Sequence, residues 1–347
     1  MGRLRVGIAA ALPEALCERL EALEPRIEVV RDVEAVPPAA SIGEWARPAR
    51  PERSEAQRAA WRATLAGCDA LFGVPGSPAE LASVLAASGS VRWVHTMAAG
   101  GGSQVKAAGL DAETLERVTF TTSAGVHGAP LAEWAVLGVL AGAKDVPRLE
   151  RQRRERSWDD GWAMRHVEDM TVLVVGLGGI GTQVAARLGA LGATIWGTTR
   201  TGQAVPHVDR LVPADDLAEA ASQVDAIVLT LPGTARTEGL VGDAVLAGVR
   251  PGTILVNVGR GTVVDEDALV RALDDGRIGY AALDVTAVEP LPQHSPLWSH
   301  ERVLLSPHTA ALHEEEPARI VALFADNARR LLDGEPMRNV VDTVEFY

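Results

Sequence analysis

Cysteine is nearly absent: Cys17 and Cys68 are the only two in 347 residues. That is too few for a disulfide framework or a cysteine-built metal site, and both read as free thiols in a reducing compartment. Lysine is as scarce, with Lys106 and Lys144 alone among the bases and arginine supplying the rest. Positive charge is outweighed, since 46 acidic against 33 basic residues leave a net charge of −13. A general nucleic-acid binder needs a basic face to displace counterions, so that class is excluded. No apolar run approaches the ~18–20 residues of a membrane span. Arg3 and Arg5 ahead of the apolar stretch 6–12 imitate a signal peptide. The stretch is too short, and Pro13, Glu14, Glu18 and Glu21 make the next ten residues an amphipathic helix. The histidines lack the helical or turn spacing of metal ligands. These absences predict a soluble, cytoplasmic protein without metal, membrane or nucleic-acid partner.

What is present suits two domains of roughly 100–200 residues each. Strand is expected over 6–12, helix over 13–23 and strand over 27–31. Residues 37–53 are rich in Pro, Arg and Ala and read as a long surface loop, with Trp45 as a packing anchor or a cover for a small site. Helix is expected over 54–66, strand over 70–74, helix over 79–87 and strand over 91–96. This alternation predicts a parallel sheet covered on both faces. The strand 91–96 runs into Met97-Ala98-Ala99-Gly100-Gly101-Gly102. That run is either a flexible turn or a place where backbone N–H groups approach a small anion. Residues 130–158 read as a long helical stretch that Pro147 divides into an apolar, buried half and a charged, solvated half.

The strongest local signal is Gly176-Leu177-Gly178-Gly179-Ile180-Gly181, between a strand over 171–175 and a helix over 182–191, with a second strand over 193–197. Gly176 supplies a tight turn, Gly178 room for a pyrophosphate and Gly181 close helix packing, while the helix start offers N–H donors to phosphate. Past the second strand stands Thr199-Arg200-Thr201, with no acid for a ribose 2′-hydroxyl. Arg200 could instead take a 2′-phosphate, which favours NADP over NAD.

Further strands over 226–231, 254–258, 280–285 and 303–306 end near Pro232, Arg260, Asp284 and His308, with Glu289 just beyond, and a helix over 315–332 closes the chain. An arginine can fork onto a carboxylate and its neighbouring carbonyl. A histidine can protonate a carbonyl oxygen as hydride reaches the carbon, and a carboxylate beside it fixes the ring's tautomer. With a nicotinamide site in the same domain, that chemistry is reduction of a 2-oxo acid or its reverse.

Val256-Asn257-Val258-Gly259-Arg260-Gly261, the stretch from Leu283-Asp284-Val285 through Glu289-Pro290-Leu291-Pro292 to Trp298, and Ser306-Pro307-His308-Thr309-Ala310 together resemble the D-specific 2-hydroxyacid dehydrogenases. The agreement extends to 131–133, 229–232 and 339–342. The resemblance implies an α/β protein of two doubly wound parallel-sheet domains with a cleft between them. A flavodoxin-like substrate domain would span 1–124 and 311–347, and a Rossmann-like cofactor domain 125–310. It implies Arg260, Glu289 and His308 as catalytic residues, with Met97, Ala98, Ala99 and Gly100 joining Arg260 and His308 around the substrate. It places the dinucleotide on Gly176, Gly178, Gly179, Ile180 and Gly181, on Thr199 and Arg200, and on Leu231, Pro232 and Thr237. Val258, Gly259, Asp284 and Ala310 complete that set, Asp284 near the carboxamide. A homodimer is implied too, with the apolar stretch 134–140 as a candidate interface, though one subunit could equally bury it.

The chain departs from the family pattern in places. The substrate loop lacks the acid that commonly ends it. Gly259 stands where many members carry alanine, an exchange expected to be neutral. Thr199-Arg200 resembles the NADPH-using glyoxylate/hydroxypyruvate reductases, so a small 2-oxo acid such as glyoxylate, hydroxypyruvate or pyruvate is the expected substrate. Phosphoglycerate dehydrogenases also resemble the chain, but 97–102 offers no basic donor for a phosphate. Phosphite dehydrogenases keep a similar triad, and dinucleotide-sensing corepressors of the same fold are the alternative outside enzymology.

Overall fold

The computed structural model describes residues 3–48, 51–200, 202–344 and 346. Two compact units divide the chain, one formed by Met1–His127 with Leu312–Tyr347 and the other by Gly128–Ala311. Residues 49 and 50 of the expected loop, and Thr201 after the cofactor strand, lie outside the described residues.

The first unit carries β1 (Leu4–Ile8), β2 (Ile27–Val30), β3 (Ala70–Phe72), β4 (Trp93–Thr96) and β5 (Thr119–Thr122), all parallel in the order β2-β1-β3-β4-β5. This is the flavodoxin-type order, in which helices must cover both faces. Leu4, Val6, Ile8 and Trp93 pack on one face with Leu20 and Phe324 of the helices Glu14–Leu23 and Glu316–Asp333. On the other face Leu71, Val94 and Phe120 meet Trp61, Leu65 and Leu81 of Glu55–Ala66 and Pro78–Ala87. Each such fully buried side chain contributes about 1.5–3 kcal/mol. The helices start where capping chemistry allows: Ser54 and Gln57 form a reciprocal capping box, and Ser77 accepts the Glu80 N–H ahead of Pro78.

Several expectations need correction here. The first strand stops at Ile8, so the apolar residues as far as Leu12 are packed loop. The third stops at Phe72 because Gly73 turns the chain with φ of +98°. Residues 37–53 are not all loop: Ser41 caps a short helix, Ile42–Ala46, which lays Trp45 against the first core as a packing anchor. The glycine run is no free turn, since Gly102 already opens a helix, Gly102–Ala107. β5 and the helix Ala112–Arg117 carry no readable periodicity. Cys17 and Cys68 are buried and free, and burial pushes both thiols up to about 11.

The second unit carries β6 (Thr171–Val175), β7 (Thr194–Thr198), β8 (Arg210–Val212), β9 (Ala226–Leu229), β10 (Thr253–Asn257), β11 (Ile278–Leu283) and β12 (Val303–Leu305). They lie parallel in the order β12-β11-β10-β9-β6-β7-β8, the Rossmann order extended by a seventh strand. Helix Gly128–Ala143 packs Ala132, Ala135 and Val139 into the core on one face while Leu137 stays exposed, so the stretch 134–140 is only partly buried within the unit. Asp145 and Pro147 end the long helical stretch as one rod, and a second helix, Val146–Glu155, carries the charged half in solvent. Among the described residues no helix is long and apolar enough to cross a membrane.

Candidate active site

All the chemistry-bearing residues of the second unit sit past the carboxyl ends of its strands, beginning at the switch point between β6 and β9. β6 delivers the chain to Gly176, whose φ of +102° is costly for any residue with a Cβ. The turn is pinned from both neighbouring strand ends: Thr198 Oγ1 accepts the Gly176 N–H at 3.0 Å, and the Thr230 hydroxyl donates to the Gly176 carbonyl. Helix Gly179–Ala190 then starts, and a Cβ at Gly181 would lie 2.0 Å from the Gly176 oxygen. Gly178 and Gly179 are uncrowded by contrast, since a Cβ at either would meet no atom within 4 Å. The backbone at this helix start can therefore approach phosphate oxygens closely. Ile180 packs against the core behind it.

The other predicted cofactor positions line the same strand ends. Arg200 is exposed just past β7. Leu231 and Pro232 follow β9, where the Thr237 hydroxyl is committed to its own loop, donating to the Pro232 carbonyl at 2.7 Å. Val258 is buried after β10. Gly259 is not a neutral exchange for alanine in this chain, because a Cβ there would lie 2.5 Å from the Leu231 carbonyl oxygen and 2.8 Å from its nitrogen.

Asp284, 1% exposed at the end of β11, accepts the Thr309 and Ala310 N–H groups on one oxygen, each at 3.0 Å. Its other oxygen, Oδ2, is buried without a partner among the described residues. An unmet buried acceptor costs about 1–3 kcal/mol, which a bound donor such as a carboxamide would recover. The open glycine turn and this acceptor both fit a nicotinamide dinucleotide.

Arg260, Glu289 and His308 come from the loops after three adjacent strands. Glu289 Oε2 lies 2.7 Å from His308 Nδ1, and Glu289 Oε1 accepts the Thr286 N–H at 3.2 Å. Both side chains are open, 40% and 44% exposed, so the ring's Nε2 edge is accessible. His308 holds φ of +57°, a conformation that non-glycine residues adopt rarely, and its N–H donates to the Asp284 carbonyl at 2.9 Å. Arg260 Nη1 donates to the Gly259 carbonyl at 2.8 Å.

Three residues that shape this cluster carried no role at the sequence level. Asn257, 1% exposed, accepts the Gly259 N–H at 3.0 Å and donates to the Arg260 carbonyl at 3.1 Å. Gly261 lets the Arg260 loop touch the Glu289 loop, where a Cβ would lie 1.9 Å from the Thr286 carbonyl carbon. Glu266 Oε1 accepts the Ala287 N–H at 2.6 Å across the same junction. A polar residue ending a buried apolar strand was the available signal for Asn257; the other two depend on contacts between loops.

Met97, Ala98, Ala99 and Gly100 belong to the first unit, after β4. The amides of Ala99 and Gly100 donate no hydrogen bond among the described residues. Gly101 is packed so closely that a Cβ would fall 1.7 Å from Thr96 Oγ1, which makes the run firmer than its composition suggests.

Residues 136–310 match the family model of the D-isomer specific 2-hydroxyacid dehydrogenase, NAD binding domain. The chain is 32% identical over 255 residues to an uncharacterized protein of Corynebacterium melassecola, covering 70% of this chain and 83% of that one. It is 32% identical over 220 residues to glyoxylate/hydroxypyruvate reductase A of Citrobacter koseri, covering 63% and 70%. A D-isomer specific 2-hydroxyacid dehydrogenase of Xanthobacter autotrophicus, solved with NADPH and MES, superposes with a TM-score of 0.77 at 28% identity over all of both chains. With sequence, fold and glycine turn in agreement, the chain belongs to the D-isomer-specific 2-hydroxyacid dehydrogenases, enzymes that work with a nicotinamide dinucleotide.

Proposed function

We propose that this enzyme reduces a small 2-oxo acid, of the size of glyoxylate, hydroxypyruvate or pyruvate, with NADPH as the preferred dinucleotide. The observation that carries the reading is the 2.7 Å contact between Glu289 Oε2 and His308 Nδ1, which commits one ring nitrogen and leaves the other to the substrate. In the reducing direction the bound dinucleotide supplies the hydride. His308 then delivers a proton from Nε2 to the carbonyl oxygen, while Glu289 holds the ring's orientation and balances its charge. Arg260 forks onto the substrate carboxylate and its neighbouring carbonyl, fixing which face is presented. Asp284 Oδ2 would accept the carboxamide N–H, and the N–H groups at the start of Gly179–Ala190 would hold the pyrophosphate.

The preference for NADPH rests on Thr199-Arg200, where an acid would repel a 2′-phosphate and a guanidinium would bind it. The name of the Citrobacter koseri relative and the NADPH in the Xanthobacter autotrophicus structure support the same direction. Steady-state reduction of the three acids, each with NADPH and with NADH, is the test. Turnover favouring NADPH is expected. Turnover favouring NADH would discard the role of Arg200, and binding without turnover of any of the three would overturn the substrate reading.

A further inference from the structure

The chemistry above occupies the carboxyl ends of the seven-stranded sheet. At the opposite ends of β10, β11 and β12 lies a separate cavity of about 500 Å³. Its floor has almost no side chains, because Gly142, Gly252 and Gly279 meet there. Its walls carry four arginines, Arg148, Arg151, Arg165 and Arg302, against two acids, Asp145 and Glu301. In a chain of net charge −13 this local surplus of guanidinium is unusual.

Most of these groups are already engaged. Arg148 donates to Asp159 at 2.6 Å and lies over the Trp162 ring, 4.4 Å from its centre. Arg302 donates to the Leu273 carbonyl, and Arg151 stands 3.5 Å from Glu301. Asp145 commits one oxygen to the Arg148 N–H. Arg165 differs. Its backbone is fixed at both ends, its N–H donating to the Ala143 carbonyl at 2.9 Å and its carbonyl accepting from Lys144 Nζ at 2.8 Å. Its half-buried guanidinium has no hydrogen bond or ion pair among the described residues, and the acids that attract it, Asp225 and Asp145, do so without contact. A held guanidinium with five unused donors, in a roomy cavity among three others, is incomplete without oxygen acceptors.

We propose that this cavity is a second ligand site, for a small anion carrying two or more negative charges on phosphate or carboxylate oxygens, with Arg165 as its main anchor. A monoanion would gain one contact in an open, solvated cleft. A multivalent anion spans Arg165 and the exposed Arg151, and its charge is offset on both sides.

Calorimetric titration of the full-length enzyme in phosphate-free buffer, with inorganic pyrophosphate, citrate and acetate in turn, tests this. One equivalent of pyrophosphate or citrate is expected to bind and acetate to give no heat. Binding of pyrophosphate alone assigns a phosphorylated ligand, and binding of citrate alone a polycarboxylate. Arg165→Gln should weaken binding about tenfold or more, the scale of a lost charge-assisted pair. Arg151→Gln, at an exposed position, should weaken it less and decides the matter if Arg165→Gln fails to bind dinucleotide and so to fold. No heat from either multivalent anion, heat unchanged in the variants, or heat abolished by saturating NADPH would overturn the proposal.

Discussion

Asn257 brackets the turn that carries Arg260, accepting the N–H before it at 3.0 Å and donating to the Arg260 carbonyl at 3.1 Å. Both bonds are buried, so their loss is not made good by water. Asn257→Ala is expected to cost about 1–3 kcal/mol of stability. Its kinetic signature should be a raised KM for the 2-oxo acid, since Arg260 loses its aim, while the dinucleotide Kd stays close to wild type. Steady-state kinetics and fluorescence titration with NADPH check this. An unchanged KM would show that Arg260 keeps its place unaided.

Glu289→Gln keeps a side chain of the same shape beside His308 and removes its charge. A fall in kcat of about 100-fold is expected, with a larger fall for His308→Gln, because one loses the support of the proton donor and the other the donor itself. Dinucleotide affinity should hardly move in either. If His308→Gln left kcat intact, the assignment of the acid/base role would fail.

Gly259→Ala tests a contact rather than a chemical group. The added Cβ would stand 2.5 Å from the Leu231 carbonyl oxygen, a backbone atom that cannot rotate away. The loop after β9 must shift, at a cost of about 1–3 kcal/mol. Weaker NADPH binding and a lower midpoint in thermal unfolding are expected, against an alanine-tolerant site if neither changes.

His95 is enclosed in the first unit, with Nδ1 2.8 Å from Thr121 Oγ1, Nε2 3.1 Å from Ser123 Oγ and its ring against Phe324. Burial pulls its pKa down to about 3. An unfolded chain protonates its histidines near pH ~6.5. The His95 contribution to stability is therefore whole above that pH and is lost as pH falls from there toward the folded value, where the unfolded state binds a proton the native state refuses. His95→Asn should lower stability at neutral pH yet flatten its decline in acid. Urea midpoints at neutral and mildly acidic pH measure both, and an equal decline in wild type and variant would refute it.

The two thiols offer a chemical check. With both pushed up to about 11 and buried, neither Cys17 nor Cys68 should react with a thiol reagent near pH ~8 until the chain unfolds. Rapid labelling of the native enzyme would contradict the packing around β1 and β3.

Much of the fold was legible because a parallel sheet buried on both faces writes itself as short apolar runs bounded by glycine, and β6 is read to the residue. The cofactor turn was legible because phosphate binding demands glycines at fixed steps. β5 was not, since Thr119–Thr122 is polar in composition and pairs only because Trp93 and His95 meet Thr121 from β4. Asn257, Gly261 and Glu266 escaped for a related reason: each acts on a partner that the sequence does not place beside it.

The backbone crossing at Gly261 and Thr286 also limits how this enzyme can diverge. Two loops locked at one point cannot lengthen or shorten independently without pulling Arg260 away from Glu289. Drift toward new substrates is thereby steered into side-chain exchange elsewhere, while loop length at this junction stays fixed.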